Sequence, residues 1–355
     1  MKKYSKQETD WTIGLDLGNR NSYWVALDRE GEILQEGRVA TRVRALEKVF
    51  REFSRSRIAL EVGTQSSWVS RLLSRLGHEV IVANGRKLRL IYENPKKRDR
   101  VDAEYLARVA RVDVSLLAPI QHRSEETQAD LQVVKTRKNL IRVRTQLINH
   151  VRHSMKVYGV QLSGCTAPVF ASKVQEEIPE QLRQTMDPVL ETIARLSEQI
   201  RQYDRQIEWL CGEKYPQTER LRQIKGVGPL TALTFVLVIE HPERFQRSRD
   251  VGAYLGLCPR QDQSGERDPQ LRISKAGDHL LRSLLVNCAH YVLGPFGEES
   301  DLRRHGEKIA ARGGKKAKKR AVVAVARKMA VLLHHLWVTG EAYEPLYRSE
   351  PSQAA

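Results

Sequence analysis

The sequence predicts an α/β domain at residues 10–118, a helical region at 119–213 and a mostly α-helical domain at 214–345. Short stretches of alternating apolar residues, typical of strands, are confined to the first segment. A seven-residue apolar repeat dominates the second segment, and glycines separate apolar runs of helical length in the third. Residues 346–355 are polar and predict a flexible tail.

In the first segment, the pattern predicts three consecutive strands followed by two helix–strand pairs. Trp11, Ile13, Leu15 and Leu17 alternate with small or polar residues, which predicts a first strand with one apolar face. Further strands are predicted at residues 23–28, 31–39, 57–62 and 79–83, and helices at 45–53 and 66–76. The order βββαβαβ predicts a mixed sheet with helices on its faces.

The second segment predicts two long helices. Asp187 and Pro188 predict the start of the later helix, as an N-cap followed by proline, after a looser connector at residues 162–184. In a basic helix at about residues 125–158, apolar residues recur every seven positions, at Val134, Ile141, Ile148 and Met155.

The later helix carries a heptad seam, in which apolar residues step by four and three. They are Val189, Ile193, Leu196, Ile200, Tyr203, Ile207 and Leu210. A sustained seven-residue repeat imposes a left-handed coiled coil. The two helices could pair within one chain, but the long seams and charged flanks favour dimerisation.

Composition points to a polyanionic partner. The chain has 60 Lys and Arg against 43 Asp and Glu, a net charge of +17 and a pI near 9.8. Nucleic acid is the first candidate, because neutralising its phosphates releases counterions. A membrane surface is the alternative, but no transmembrane-length apolar run and no signal peptide is recognisable, so we expect no membrane partner.

The cysteines argue against a structural zinc site. Cys165, Cys211, Cys258 and Cys288 are widely scattered, and none forms a C-x-x-C pair. We therefore expect reduced thiols in a cytoplasm.

Two carboxylates stand on predicted strands of this basic chain. Asp16 shares a strand face with Thr12 and Gly14, and Glu61 shares one with Ala59. A lone carboxylate in mid-strand is costly to bury without a partner, whereas Mg²⁺ prefers oxygen ligands. This face of small residues would leave room for metal ions and substrate. For Asp16 alone, an ordinary strand-end hydrogen bond to nearby backbone is an equal alternative.

A second acidic pair begins a predicted helix. Asp99 and Asp102 are three residues apart and therefore project from one helix face, among Lys96, Lys97, Arg98 and Arg100. Acids at a helix N-terminus are often simple dipole partners. The combination of a strand Asp, a strand Glu and a helix Asp pair is more specific than any member, and two metal ions acting on a phosphodiester would explain it.

These acids carry a family resemblance. The segments GLDLG, LEVGTQSSWV and KKRDRVDAEYLA resemble the Asp-Glu-Asp-Asp signature of the insertion-sequence one-ten family of transposases. The resemblance implies an RNase H-like fold of the Holliday-junction resolvase (RuvC) type. Val62-Gly63-Thr64 stands where Ala-Thr-Gly is usual, and Lys97-Arg98-Asp99 where Lys-Thr-Asp is frequent, but the acidic positions are kept.

The resemblance extends into the third segment. Residues 221–228 read as a helix-hairpin-helix element, although its two glycines alone would fit a plain turn equally well. Residues 254–265 match the family's G-L-x-P-R and S-G block, residues 272–277 match its R-[IM]-S-K-x-G block, and Leu281-Arg282 match its following L-R. The resemblance therefore covers residues 11 to about 345.

The family's roles follow from these matches. The resemblance implies that Asp16, Glu61, Asp99 and Asp102 bind Mg²⁺, with Mn²⁺ as the alternative ion, and that Ser264 is the nucleophile. Ser274 is the competing serine, but it also looks like the N-cap of a helix at residues 275–285.

Several further residues are expected to contact nucleic acid. Glycines let a backbone approach phosphate closely, and a basic run at residues 311–320 precedes a helix predicted at about 321–338. The expected contacts are Lys225, Gly226, Gly228, Arg272, Ser274, Lys275, Lys315, Lys316, Lys318, Lys319 and Arg320.

The resemblance implies an RNA-guided DNA recombinase that cuts and exchanges strands through a phosphoserine intermediate. Its partners would be donor and target double-stranded DNA, a guide (bridge) RNA encoded by the element, and further copies of the chain in a dimer or tetramer. It would act in a prokaryotic cytoplasm, at the nucleoid. Two alternatives remain open: a metal-dependent Holliday-junction endonuclease that activates water, and a non-catalytic nucleic-acid-binding protein.

Overall fold

The structure, a computed structural model, describes residues 11–87, 99–265, 267, 269 and 271–347. The chain divides into two compact units, Met1–Arg123 and Ser124–Ala355. This division lies five residues beyond the predicted boundary at 118, and the predicted regions 124–213 and 214–345 share the second unit. Most of the predicted tail, residues 348–355, lies outside the described residues.

A mixed sheet forms the centre of the first unit, in the predicted order of elements. Its strands within the described residues are β1 Thr12–Asp16, β2 Asn21–Leu27, β3 Ile33–Ala40, β4 Arg57–Glu61 and β5 Glu79–Ala83. They lie side by side in the order β3-β2-β1-β4-β5. The β1–β2 and β2–β3 pairs are antiparallel, whereas β4 is parallel to both β1 and β5.

Helices cover both faces of this sheet. On one face, α1 (Val43–Phe50) and α2 (Ser66–Arg75) pack on the apolar side chains of β1 and β4, including Ile13 and Leu60. On the other face lies α3 (Asp99–Val112). Its alanines and Leu106 pack on Ala59 of β4 and on the buried side chains of β2 that face this helix. The small-residue face predicted to leave room for ligands is therefore occupied by a helix along much of its length.

The second unit begins with a helical hairpin within the chain. Helix α4 (Glu125–Val157) packs along α6 (Glu180–Trp209), and the short α5 (Phe170–Val174) lies between them in sequence. The seam residues Ile193, Ile200 and Ile207 are buried. The intramolecular pairing of the two helices is thus present, while dimerisation of the seam remains a prediction.

The predicted start of α6 at Asp187 and Pro188 is wrong. The helix begins at Glu180 after Pro179, and Pro188 lies inside it. Met186 and the partly buried Leu182 pack in the core between α4 and α6, so apolar burial extends the helix past the capping signal. Tertiary burial thus outweighs the hydrogen bond that an internal proline removes.

The rest of the second unit is a helical core around α8. Its helices are α7 (Gln217–Leu221), α8 (Pro229–Ile239), α9 (Asp250–Tyr254), α10 (His279–Leu293), α11 (Asp301–Ala310) and α12 (Gly314–Thr339). Every residue of α8 from Thr231 to Ile239 is buried. Among the described residues, α12 alone has the length and apolar composition to cross a membrane, but Val325, Met329 and Leu333 pack in this core. All four cysteines are free thiols.

Candidate active site

Two of the predicted acids end neighbouring parallel strands. The β1–β4 register pairs Thr12 with Arg57 and Leu15 with Leu60. One further step along both strands brings Asp16 and Glu61 side by side, at the carboxyl edge of the sheet. Both residues are half-buried. The register also places Gly14 beside Ala59, so the predicted small-residue faces of the two strands lie on the same side of the sheet.

Helix α3 approaches β1 more closely than a side chain would allow. A Cβ atom on Gly14 would lie 1.8 Å from the carbonyl oxygen of Ala103 and 2.6 Å from the backbone nitrogen of Ala107. Gly14 is therefore required by the contact between the strand and the helix backbone. The contact lies two residues before Asp16 and one residue after Asp102.

The direction of α3 brings its first turn to the same edge. Near its end, Arg108 and Arg111 donate to the carbonyls of Gly31 and Arg29, in the β2–β3 turn beside the start of β1. The helix therefore runs antiparallel to β1, and its N-terminal turn lies at the end where β1 reaches Asp16. Asp102 is buried in this turn, at 8% exposure, whereas Asp99 is exposed.

Asp16 and Glu61 thus end adjacent strands, the first turn of α3 lies at the same end of β1 with Asp102 buried in it, and Asp99 is exposed. Their oxygen-only chemistry suits a hard divalent cation. No three Asp, Glu, His or Cys side chains within the described ranges are grouped closely enough to hold a metal ion, so the edge is not a closed ligand set.

The basic residues expected around the helix acids are only partly described. Arg100 pairs with Glu36 on β3 at 2.8 Å and with Glu104 at 3.6 Å, and the Glu36 carboxylate raises the pKa of Arg100. Arg100 therefore pairs with Glu36 and Glu104 rather than with Asp99 or Asp102. Lys96, Lys97 and Arg98 lie outside the described residues.

Ser264 lies at the tip of an exposed hairpin, residues 258–274, which we call the serine hairpin. At its base, Ser274 N donates to Cys258 O at 2.9 Å and Arg260 N donates to Arg272 O at 3.0 Å. At its tip, the backbones of Ser264 and Arg267 exchange two hydrogen bonds of 3.0 and 3.1 Å. Gly265 takes the turn with φ +54°.

The serine hairpin exposes the side chain of Ser264. The residue is exposed, and its hydroxyl makes no hydrogen bond to any part of the chain that the structure describes. Arg272 and Lys275, both expected to contact phosphate, are also exposed. This part of the chain can therefore offer a hydroxyl and positive charge to a phosphate.

The competing serine, Ser274, does not cap a helix. Its hydroxyl accepts weakly from Ala276 N at 3.4 Å, whereas α10 begins at His279 and is capped by Asp278, which accepts from Leu281 N. Lys275 and Gly277 have φ values of +54° and +68°, which a helix cannot contain. The predicted N-cap role of Ser274 is therefore wrong.

The glycine turn between α7 and α8 contains Lys225, Gly226 and Gly228. Gly226 has φ +92°, and a Cβ on it would lie 2.7 Å from the ring of Tyr291. Gly228 precedes the first residue of α8, Pro229. Lys225 is exposed and pairs with Glu298 at 3.5 Å, across a cleft of about 170 Å³ that Tyr291 and Tyr343 also line. A phosphate reaching this turn would compete with Glu298 for Lys225.

The basic run forms the first turns of α12 and does not precede the helix. Ala317 and Ala321 are buried, while the predicted cations are all exposed: Lys315, Lys316, Lys318, Lys319 and Arg320. The first turn contains no acid. Cations at a helix N-terminus oppose the helix dipole, so this concentration of charge favours binding an anion over stabilising the helix.

Sequence reasoning missed the role of Arg282, which is 8% exposed on α10. Its guanidinium donates to backbone carbonyls on both sides of the serine hairpin, at Leu255 and Ala276. The available signal was a lone charge within the apolar run HLLRSLL, because a charged residue at a buried helix position needs internal partners.

Comparison with known proteins matches both units. The sequence profile described as the transposase IS116/IS110/IS902 family matches residues 218–305, and a DEDD transposase profile of the IS110 type matches residues 13–159. The first of these spans Ser264, and the second spans all four predicted acids.

Relatives agree with both profiles. The chain is 28% identical to the transposase of insertion sequence IS1111A from Coxiella burnetii, over 71% of this chain and 70% of that protein. It is 28% identical to the IS1328 transposase of Yersinia enterocolitica, over 84% and 91%. A pilin gene-inverting protein of Moraxella lacunata is 31% identical over 39% of this chain and 43% of its own length.

Proposed function

Because the chain belongs to the IS110 family of transposases, enzymes that recombine DNA, we propose that it is an RNA-guided recombinase of an insertion sequence. One observation carries the proposal. The segment that resembles DEDD transposases ends two adjacent parallel strands at Asp16 and Glu61, with Asp102 buried in the first turn of the helix packed on that sheet, and the other matched segment presents an exposed serine on a hairpin. A nuclease that used only water would have no need of such a serine.

The acids are assigned to divalent metal, which DEDD-type domains typically use. Asp16, Glu61 and Asp102 would hold Mg²⁺ or Mn²⁺ at the sheet edge, with Asp99 at its outer side. When bound, the metal neutralises phosphate charge and favours an oxygen nucleophile. Residues of this chain supply the ligand oxygens and, through the close contact of α3 with β1, their relative position.

The hydroxyl of Ser264 is assigned to the nucleophilic attack. Its Oγ gives up its proton and forms a bond to phosphorus, the bond to the 3′ oxygen breaks, and that oxygen takes up a proton. The product is a 5′-phosphoserine link and a free 3′-hydroxyl. The bond energy of the phosphodiester is kept in this link, so a second 3′-hydroxyl can reverse the step on another strand.

One relative favours strand exchange over hydrolysis. The Moraxella lacunata protein is named for inverting a gene, and an inversion must rejoin every strand that it cuts. A covalent link to the protein permits rejoining without another energy source, whereas attack by water leaves separate ends. We infer that this chain likewise rejoins DNA strands through a covalent link to the protein.

Guidance by an element-encoded RNA would assign sequence recognition to base pairing. The protein would then need contacts mainly to phosphate backbones, which are salt-dependent and independent of sequence. The exposed cations of α12, the Lys225 turn, Arg272 and Lys275 suit that task. We also infer donor and target double-stranded DNA as substrates, a dimer or tetramer as the active form, and action at the prokaryotic nucleoid in the cytoplasm.

The test uses purified protein, Mg²⁺, RNA transcribed from the non-coding flank of the element, and a duplex carrying one element end, labelled at the 3′ ends because the 5′-phosphoserine link leaves the 3′-side fragment on the protein. A denaturing gel detects covalent protein–DNA adducts. We expect adducts with the wild type and with Ser274→Ala, no adduct with Ser264→Ala, and none without Mg²⁺ or RNA.

Other outcomes would favour the alternatives. Cleavage that persists in Ser264→Ala without any adduct would indicate a junction endonuclease that activates water. DNA binding without cleavage, unchanged by Asp16→Ala or by chelation of metal, would indicate a non-catalytic binding protein. Adducts that persist in Ser264→Ala and vanish in Ser274→Ala would move the nucleophile to Ser274.

A further inference from the structure

A buried arginine holds the two ends of the serine hairpin together. Arg282 Nη1 donates to the carbonyl oxygen of Leu255 at 2.9 Å and to that of Ala276 at 2.6 Å. Leu255 precedes the serine hairpin and Ala276 follows it. One guanidinium nitrogen on α10 therefore holds both chain segments. We call these two segments, at Leu255 and Ala276, the neck.

The neck is a direct backbone contact with no side chain between its segments. A Cβ on Gly256 would lie 2.2 Å from Ala276 N, and one on Gly277 would lie 2.1 Å from the carbonyl oxygen of Tyr254. Lys275 N also donates to Gly256 O at 3.1 Å. This close approach turns the carbonyls of Leu255 and Ala276 toward α10, where Arg282 donates to both. Without that donor both carbonyls would lose a hydrogen bond, and an unpaired buried carbonyl is costly.

Beyond the neck, the outgoing strand of the hairpin is open to solvent. The residues from Pro259 to Gly265 are all exposed. The direction in which Ser264 points therefore depends on the neck, where Gly256 lies eight residues before Ser264 along the chain. A small rotation of the neck becomes a larger displacement of the tip.

We propose that Arg282 is a positioning residue for strand transfer, which orients the serine hairpin by clamping its neck to α10. This rests on the proposed function, in which the nucleophile lies on that hairpin. It applies to Ser264 at the tip and equally to Ser274 at the base. Arg282 itself touches neither serine and takes no part in the bond changes.

The chain offers a matched control in Arg303 on α11. Its Nη1 donates to the carbonyls of Val292, Gly294 and Gly297, at 3.0, 2.8 and 3.0 Å. It thus caps carbonyls of a turn by the same chemistry, in the same unit, without holding the serine hairpin. Arg303→Met should lose comparable anchoring but leave the neck intact.

The experiment compares Arg282→Met, Arg282→Lys, Arg303→Met and Ser264→Ala in the full chain, with the RNA and labelled duplex described above. It measures the rate of adduct formation at saturating DNA, the Kd for the duplex, the thermal midpoint, and hydrogen exchange of the Arg260, Ser274 and Lys275 amides.

Arg282→Met should slow adduct formation on the order of 100-fold, as expected when a reacting group is misplaced by about 1 Å. Its Kd and thermal midpoint should match those of Arg303→Met, and the three hairpin amides should exchange faster only in the Arg282 variants. Arg282→Lys should fall between, because an ammonium can still donate to a carbonyl but lacks the planar guanidinium geometry.

An adduct rate in Arg282→Met equal to that of Arg303→Met would overturn the proposal, as would unchanged exchange of the hairpin amides. Should Arg282→Met fail to fold, the same two readouts in Arg282→Lys decide. Failure of the proposed function is seen separately, as absence of adducts in the wild type or their persistence in Ser264→Ala. In either case the exchange data still test the clamp.

Discussion

At the scale of single residues, Asp99 and Asp102 differ although they stand one turn apart on α3. Asp102 is buried at the sheet edge beside the contact of Ala103 with Gly14, and Asp99 is exposed. The sequence suggests equal roles for the pair, because a spacing of three residues places both on one helix face. Because Asp102 is buried, we expect it to contribute more than Asp99 to binding a cation.

Asp102→Asn should therefore lower Mg²⁺-dependent cleavage by roughly 100-fold or more, the scale of losing a charge-stabilising group. Asp99→Asn should cost roughly tenfold, as for a supporting position around a metal. The measurement is the cleavage rate across a Mg²⁺ titration. Glu104→Gln, which alters an acid on the same helix paired with Arg100 and Arg108, should change little. Equal losses for both Asp variants would contradict the ranking.

Residue types suggested the acids as a site and the family resemblance suggested Ser264, but neither could reveal the contacts that hold these residues. The acids stand out because carboxylates on strands of a basic chain need an explanation. Arg282 acts through backbone carbonyls of Leu255 and Ala276, and backbone partners leave no mark in the sequence. The N-cap prediction for Ser274 failed for a similar reason, since the left-handed φ of Lys275 is set by the neck.

At the scale of elements, the contact of α3 with β1 builds the acidic edge. Gly14→Ala would place a Cβ 1.8 Å from the carbonyl oxygen of Ala103, so the helix would have to move. We expect a loss of about 3 kcal/mol in the free energy of unfolding of the first unit, as for an overpacked core. Because Asp102 adjoins this contact, cleavage should fall as well.

Gly63→Ala is the matched control, since a Cβ there meets nothing within 4 Å although Gly63 follows the strand of Glu61. Urea unfolding followed by tryptophan fluorescence, together with the cleavage rate, would compare the two variants. A Gly14→Ala protein as stable and active as Gly63→Ala would show that α3 does not need this approach.

His78 links two elements of the first unit and makes its stability depend on pH. Its Nε2 bonds the carbonyl of Phe50 at the end of α1, and its Nδ1 accepts from Ser56 N before β4. Burial lowers the pKa of His78, so the folded state binds fewer protons than the unfolded state. Stability should therefore fall as the pH drops below about 6.5, where the unfolded imidazole becomes charged.

His78→Gln should be less stable than the wild type at pH 8, by about 1–3 kcal/mol for the disturbed buried hydrogen bonds. It should also lose less stability between pH 8 and pH 5.5. Burial lowers the pKa of His122 in the same unit too, so some slope should remain. His150→Gln, exposed on α4, serves as the control. If His78→Gln leaves the pH dependence of stability unchanged, the acid sensitivity must come from another group.

Elements were predictable from the sequence where one local signal dominated. The apolar pattern predicts all five strands of the sheet in order, and β5 at its bounds, although β1 and β4 are buried on both faces. The start of α6 was missed because Met186 and Leu182 find a core that local signals cannot reveal. The position of α3 over Gly14 was not predicted, because the small residues on this strand face were interpreted as room for metal ions and substrate.

At the scale of the whole molecule, part of the net charge of +17 is concentrated at the start of α12. Elsewhere many cations are already paired. On α6, Arg183, Arg195 and Arg201 each contact a glutamate one turn away. The lysines at the start of α12 oppose the helix dipole and have no acid in their first turn. They are therefore the cations from which phosphate binding should gain most.

Replacing Lys315, Lys316 and Lys319 by Gln should weaken DNA binding and reduce its dependence on salt. Each phosphate contact contributes about 0.9 to the slope of log K against log salt for duplex DNA, so losing three should reduce the slope by roughly 2.7. The measurement is the duplex Kd from about 50 to 200 mM salt, a range over which such contacts are strongly screened.

The control variant removes the same charge from α6, as Arg183, Arg195 and Arg201 replaced by Gln. Both triple variants lower the net charge equally, so a field acting at long range would weaken DNA binding equally in the two. Local phosphate contacts instead predict a reduced slope only for the α12 variant, with its thermal midpoint unchanged or raised because the cations opposing the dipole are gone. Equal slopes in both variants would show that the basic charge of this chain attracts DNA without binding it at α12.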